Sequence, residues 1–320
     1  MQREELINGV RDSLAKAGFT VSRPLNLRNI SFDMAARRDG SLLLVKVLSN
    51  VDAFSKESAD EMKALSEALM ASPLLVGERS SSGDVEQGIV YSRFSVPIVS
   101  LSTLRDLLIE NVPPFIYAAP GGLYVKLDSE LLRRLRDERG ISLGTLAEMA
   151  GVSRRTIQMY EGGMGAMVDV ALRLEEFLNS EIVMPLDPLT HKVEKTEQKP
   201  LDIDKYEDEF TREVFHTLSG MGFSIRPTQR APFDALTSRS EVIILTSLGK
   251  DEVRIKEKAR MIGDISRITG RESVIIVERA KSRHALEGTP LVSREELRKL
   301  DGSKELRDLV ASRSDTDAED

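Results

Sequence analysis

The chain has 320 residues, 41% hydrophobic and 30% charged, and its 45 Lys and Arg against 52 Asp and Glu give a formal net charge of -7; this is globular composition, long enough for two or three domains. Cysteine is absent, which excludes disulfides, cysteine zinc sites, iron–sulfur clusters and thiol nucleophiles, and the three histidines, His191, His216 and His284, lie too far apart for metal-binding spacing. No apolar run approaches the roughly 20 residues of a membrane span, and the charged start MQREELINGVRD has no apolar signal region, so a cytoplasmic location without membrane contact is expected.

Leu6, Val10, Leu14 and Ala17 predict an amphipathic helix over 2–17, stopped by Gly18. An alternating run, Ile30–Ala36, and an apolar run, Leu42–Leu48, predict two strands. A helix over 56–70, short strands at 72–76 and 97–99 and a helix over 102–110 complete an α/β layer unit, residues 1–112. Between 113 and 127, two aromatic and β-branched runs flank Pro120-Gly121-Gly122, the pattern of a hairpin connector. Helical patterning then holds over 128–182. Residues 183–205 are polar and Pro-punctuated, as a linker would be, and 206–309 repeat the first element order. The acidic segment 310–320 is expected to be disordered.

The two flanking segments match in order. Leu14–Val21 matches Leu218–Ile225, Phe32-Asp33 matches Phe233-Asp234, Leu74–Arg79 matches Ile275–Arg279, and Val96–Ser100 matches Thr289–Ser293. Several matches in one order, with a drifting offset, indicate two copies of one fold. Whether the copies pair within a chain or between chains is open.

A helix with an early Glu (Glu4 or Glu5), a strand bearing Asp33 and a strand bearing Lys46 resemble the restriction-endonuclease-like fold, in the version seen in archaeal Holliday-junction resolvases. The resemblance implies a magnesium site in which Asp33 and a second acid bind the ion and the Lys readies water. Leu44 stands where the second acid belongs. In the second copy Asp234 is retained, with Thr246 as the counterpart of Lys46, Ile244 two residues before it, and Glu213 as a further acid. No metal and no cleavage are therefore expected. Asp33 then reads as a strand-start carboxylate capping a turn, and Lys46 as a solvent-facing strand position.

The strongest motif is central. Leu131–Gly140 is a helix with a glycine stop, Ser142 caps a helix over Leu143–Ala150, Gly151-Val152-Ser153 makes a turn, Arg154–Gly162 follows, and a fourth helix runs from Val168 to Asn179. Ala147 fits where only a small side chain can, Gly151 suits a left-handed turn, and Ile157 with Tyr160 presents an apolar edge. The series Leu-Ala-x-x-Ala-Gly-Val-Ser-x-x-x-Ile-x-x-x-Glu resembles the Cro/C1-type helix-turn-helix, except that Met164-Gly165-Ala166-Met167 replaces a Pro-containing loop. The resemblance implies that the third helix lies in the major groove of double-stranded DNA. Arg154, Arg155 and Met159 would face the bases, Gln158 would sit near the rim, Ser153 would cap the helix at the interface, and Ser142 and Thr145 would meet phosphate. Met159 reads equally as a core edge, and Glu161 as bonding within the turn. Residues 133–155 hold six Arg and three acids, a local +3. Arg133, Arg134, Arg136 and Arg139 also read as an ordinary solvated helix face.

The expected fold class is thus α/β, two restriction-endonuclease-like mixed-sheet domains, plus a central all-α Cro/C1-type bundle. The whole arrangement resembles a group of archaeal transcriptional regulators with a central Cro/C1-type domain. Sequence-specific DNA binding by a homodimer is the expected function; the alternatives are a structure-selective resolvase-type nuclease and a protein-interaction factor. No P-loop, dinucleotide glycine pattern, Ser-His-Asp set or zincin motif occurs, so no cofactor is expected, and no effector class is legible.

Overall fold

The computed structural model describes residues 2–25, 27, 29–194, 201–250, 252–279 and 284–314. The chain clusters into two compact units. One contains Met1–Ala17, Val47–Phe54 and Pro73–His191; the other contains Gly18–Lys46, Ser55–Ser72 and Lys192–Asp320. The strand Ser41–Asn50 runs through the boundary between them.

In the first unit, the helix Arg3–Lys16 buries Leu6, Val10 and Leu14, and its N-terminus is closed by a capping box between Gln2 and Glu5. Strand Ser72–Ser80 pairs in parallel with Val96–Val99, which pairs antiparallel with Ile89–Arg93. Ile89–Arg93 continues in parallel to Ile116–Ala119, the first arm of a hairpin whose second arm is Gly122–Leu127. The tight turn needs Gly121 and Gly122, whose φ values are +98° and +147°. The helix expected over 102–110 is an α-helix only from Leu101 to Arg105, then widens into a π turn over Asp106–Glu110.

The second unit holds a three-strand antiparallel ribbon from the first copy and a six-stranded sheet from the second. The copies share one topology. Thr20–Val21 pairs with Arg37–Ala36 as Ser224–Pro227 pairs with Ser238–Ala235. Met34–Arg38 pairs with Ser41–Val45 as Ala235–Arg239 pairs with Val242–Thr246. The parallel pair Ile275–Val277 and Leu291–Ser293 repeats that of Leu75–Val76 and Ile98–Val99. Two features depart from the sequence expectation. The strand expected from Ile30 begins at Met34, and Met34, Ala35 and Ala36 are all fully buried, so neither face faces water. The helix Ser303–Ser314 carries structure into the segment expected as a tail from 310, because the guanidinium of Arg313 is 2.5 Å from Glu296 and also donates to the Leu291 carbonyl. The remainder of that acidic tail, 315–320, lies outside the described residues.

The copies pair within one chain. Glu61, on the helix Lys56–Leu69, accepts from the backbone N–H groups of Gln229 (3.0 Å) and Arg230 (2.6 Å). Burial raises the Glu61 pKa against those two bonds. The Ser31 N–H donates to the Arg230 carbonyl at 2.7 Å, and Arg226 donates to the Ala64 carbonyl at 2.5 Å. Arg37 caps the helix Glu252–Thr269 by donating to the Thr269 carbonyl at 3.0 Å, where a cation meets the negative helix end.

Candidate nucleic-acid interface

The helix-turn-helix is built from local signals. Asp128 accepts from the Leu131 N–H at 2.9 Å and starts the helix Ser129–Glu138. Ser142 Oγ accepts from the Thr145 N–H at 3.0 Å and starts Leu143–Ala150. Ser153 Oγ accepts from the Thr156 N–H at 3.0 Å and starts Arg154–Glu161. Each cap satisfies a helix-end donor that would otherwise have no partner. Gly151 turns the chain at φ +71°, and the Val152 N–H returns to the Ala147 carbonyl at 2.9 Å. Leu132, Leu146, Ala147, Ala150, Ile157, Tyr160, Leu174 and Leu178 form one buried core beneath these turns.

With Ile157 and Tyr160 buried, one face of the third helix is left outward. Arg154, Arg155, Gln158 and Met159 are all exposed, and Met159 is 45% accessible. The ambiguity over Met159 thus resolves to an outward position. Ser142, Thr145 and Ser153 are exposed too. Arg154 leans back over the first turn of the preceding helix: a Cβ placed on Gly144 would lie 3.0 Å from two of its guanidinium nitrogens. Gly144 therefore seats Arg154 beside Ser142 and Thr145, and sequence reasoning passed it over. Met149, 47% accessible, was missed as well.

Of the four arginines expected on a solvated face, Arg136 is largely covered and Arg139, exposed at the C-cap, is tied down. Arg136 forks onto Glu161 at 2.5 and 3.2 Å, with side chains only 14% and 10% accessible. This hydrogen bond, opposed by burial and helped by the Glu161 charge, raises the Arg136 pKa. Glu161 thus reaches back across 25 residues rather than bonding within its own turn. Arg139 donates to the Leu178 carbonyl and, at 3.3 Å, to Ser180, tying the first helix to the fourth. Arg133 and Arg134 remain exposed.

The segment Met164–Met167, in place of a Pro loop, adds a strand to the hairpin: Ala166 pairs with Val125 and Met167 with Tyr124. Gly165 is required there, since a Cβ would sit 2.1 Å from the Tyr117 hydroxyl and 2.9 Å from the Val125 carbonyl. Tyr117 and Tyr124 stack beside it, ring centres 5.9 Å apart.

The nuclease-like centres do not fit a metal. Asp33 is fully buried, and Lys46, expected to face solvent, is only 7% accessible. Lys46 Nζ donates to the Ile30 carbonyl at 2.8 Å and to Asp33 at 3.3 Å, while Leu44, beside it, is buried and apolar. In the second copy the expected correspondence slips by one. The Asp33 N–H donates to the Val45 carbonyl and the Asp234 N–H to that of Thr246, so Ser247 is the counterpart of Lys46 and Leu245 that of Leu44. Ser247 Oγ donates to Asp234 at 2.7 Å, as does the Leu248 N–H, and Lys258 supplies a cation at 2.5 Å. Glu5, Glu213 and the nearby strand-end acid Asp52 are engaged in other bonds. Glu5 closes its capping box, and Glu213 is held by Arg294 and Arg298, which lower its pKa against burial. Asp52 accepts from the Ser81 N–H at 2.6 Å and from Arg93 at 3.0 Å. Among the described residues no three carboxylate or imidazole groups converge on one point. A hard divalent ion needs several oxygen ligands, and each copy's aspartate here meets a cation instead.

The fold and site define a class: a capped helix-turn-helix module set in a chain with two mixed-sheet domains of the nuclease type. A PD-(D/E)XK superfamily domain model matches residues 3–114, and a helix-turn-helix model matches 132–183. A protein from Methanocella arvoryzae is 40% identical over 98% of this chain and 97% of its own length. One from Halorubrum lacusprofundi is 39% identical over the whole of both chains, and one from Methanosarcina acetivorans 37% identical over 99% of each. All three carry the name "Putative HTH-type transcriptional regulatory protein". The chain belongs to this archaeal family. Among the described residues no helix is long and apolar enough to cross a membrane.

Proposed function

We propose that the protein is a sequence-specific DNA-binding transcriptional regulator that acts in the cytoplasm as a homodimer and is not an enzyme. The supporting observation is the third helix of the helix-turn-helix, which buries Ile157 and Tyr160 and presents Arg154, Arg155, Gln158 and Met159 outward. In this reading that helix enters the major groove. Arg155 bonds guanine O6 and N7, Met159 meets a thymine methyl group, and Gln158 lies at the rim. Ser142, Thr145 and Ser153 meet phosphate, with Arg154 acting from its seat on Gly144 at the boundary of bases and backbone. The three domain-like segments, 1–112, 128–182 and 206–309, divide the work: the central one reads DNA, and the flanking two form a paired, non-cleaving scaffold. The names of the relatives and the match to a helix-turn-helix model agree with this reading.

Replacing Arg155 or Arg154 by Ala tests it. Each substitution is expected to lose about 1–3 kcal/mol at one base position and relax sequence preference there. Hydrogen-exchange protection of peptides within 129–178 should be unchanged, because both side chains are exposed. Variants that bind a selected site as tightly as wild type would sink the recognition-helix assignment.

A further inference from the structure

One cleft lies within the second unit, and no residue of either nuclease-like centre lines it. Its volume is about 670 Å³, within the range of small-molecule sites. Arg23, contributed by the first sequence copy, lines it together with Arg260, Arg267 and Arg271 of the second. Three acids share the lining, and each already has an arginine. Asp264 is 2.6 Å from Arg267, Glu287 is 3.2 Å from Arg260, and Glu272 is 3.3 Å from Arg307. The guanidinium groups of Arg23 and Arg271 meet no carboxylate or carbonyl among the described residues. Arg271 Nε is buried without an acceptor, and Glu272 Oε2, next to it in sequence, is buried without a donor. An unmatched buried donor and acceptor cost free energy unless a ligand or water completes them. The remaining lining is Ser and Gly, with no aromatic or large apolar side chain on which a nucleobase could stack.

We propose that this cleft binds a small non-aromatic phosphorylated polyol, a sugar phosphate, as the effector of the protein. The phosphate accepts from the free forks of Arg23 and Arg271, the geometry that guanidinium offers an oxyanion. The sugar hydroxyls donate to Glu272 and bond Ser266 and Ser273 on the cleft wall. Because Arg23 belongs to the first copy and Arg271 to the second, the ligand bridges the two. The Arg23 N–H already accepts this role in part by donating to Asp264 at 2.5 Å.

The test is calorimetric titration of the full chain with glucose 6-phosphate and ribose 5-phosphate, beside glucose and inorganic phosphate. Saturable binding of a sugar phosphate, at one per chain and tighter than either fragment, is expected. Arg23→Ala and Arg271→Gln should each weaken it about tenfold or more, the loss of a charge-assisted contact, and Arg134→Ala should not change it. Arg23 is exposed, so its variant keeps the test valid if the Arg271 variant fails to fold. No saturable heat with either sugar phosphate, or unchanged binding in the Arg23 variant, would overturn the proposal. Inorganic phosphate binding equally tightly would remove the polyol. Loss of duplex DNA affinity in Arg23→Ala, with sugar phosphate binding intact, would assign the arginines to the DNA backbone instead.

Discussion

Removing Arg136 should damage the helix-turn-helix far more than an ordinary exposed arginine would. Its fork on Glu161 joins the first and third helices of the module through two charge-assisted hydrogen bonds. Both side chains are nearly covered, at 14% and 10% accessibility. Arg136→Ala leaves the Glu161 carboxylate without its counter-charge in that covered site, a change that costs about 3–5 kcal/mol when a buried pair is broken from one side. Replacing both partners by Met removes the orphaned charge and fills the volume, and should recover all but about 1 kcal/mol. The chain has several cooperative parts, so one global midpoint is the wrong readout. Hydrogen exchange of peptides within 129–178 reports the module directly, and protection should fall by about two to four orders of magnitude in Arg136→Ala. The salt slope of DNA binding should stay unchanged, because Arg136 reaches no phosphate in this account. A loss under about 1 kcal/mol in the single variant, or a double variant as weak as the singles, would refute the argument.

Three further expectations follow from particular side chains. Neither duplex, flap nor four-way-junction DNA should be cut with Mg²⁺ or Mn²⁺, since Leu44 and Leu245 replace the second acid and Lys46 and Lys258 occupy the aspartates; robust cleavage abolished by Asp33→Ala would promote the nuclease reading, and Leu44→Glu is the control for a silent scaffold. Glu296 has its pKa lowered from 4.5 to about 2, burial opposing the bonds from Arg313 and Ser293 that win. A folded value below the unfolded one adds stability above pH 4.5 that is lost as pH falls toward 2; after discounting for its partial exposure this is about 1 kcal/mol, and Glu296→Gln should flatten acid unfolding in that window, whereas an unchanged profile would count against the clamp. Light scattering should give a dimer on DNA, because the chain carries a single recognition helix and sites of this type are two half-sites about one helical turn apart; a monomer both free and bound would contradict this.

The helix-turn-helix was legible because its determinants are local. Ser142, Ser153 and Gly151 announce caps and a turn within a few residues of their partners, and Ala147 and Ile157 mark the core by spacing alone. The arginines were less legible. Arg136 looks like its neighbours Arg133 and Arg134 until Glu161, far along the chain, is folded against it. The repeat was visible in four ordered matches, yet its register was not. Val242–Gly249 is a run of apolar and small residues with little alternation to set the phase, so Thr246 and Ser247 could not be told apart until the Asp234 N–H bond to Thr246 fixed the pairing. The intrachain pairing of the copies rests mostly on side chains of Glu61, Arg226 and Arg37 meeting backbone groups of the other copy, and backbone partners leave no trace in residue type. The helix end at Ser314 was hidden by its polar sequence, because Arg313 is buried through an ion pair and not through hydrophobicity.

Selection of bound sequences from random duplex DNA, run on the full-length protein with Arg155→Ala in parallel, tests the central claim most directly. The account predicts enrichment of a pseudo-palindrome with half-sites about one helical turn apart, and loss of preference at one symmetric pair of positions in the variant. No enrichment above the starting pool, or an identical motif from wild type and variant, would contradict it.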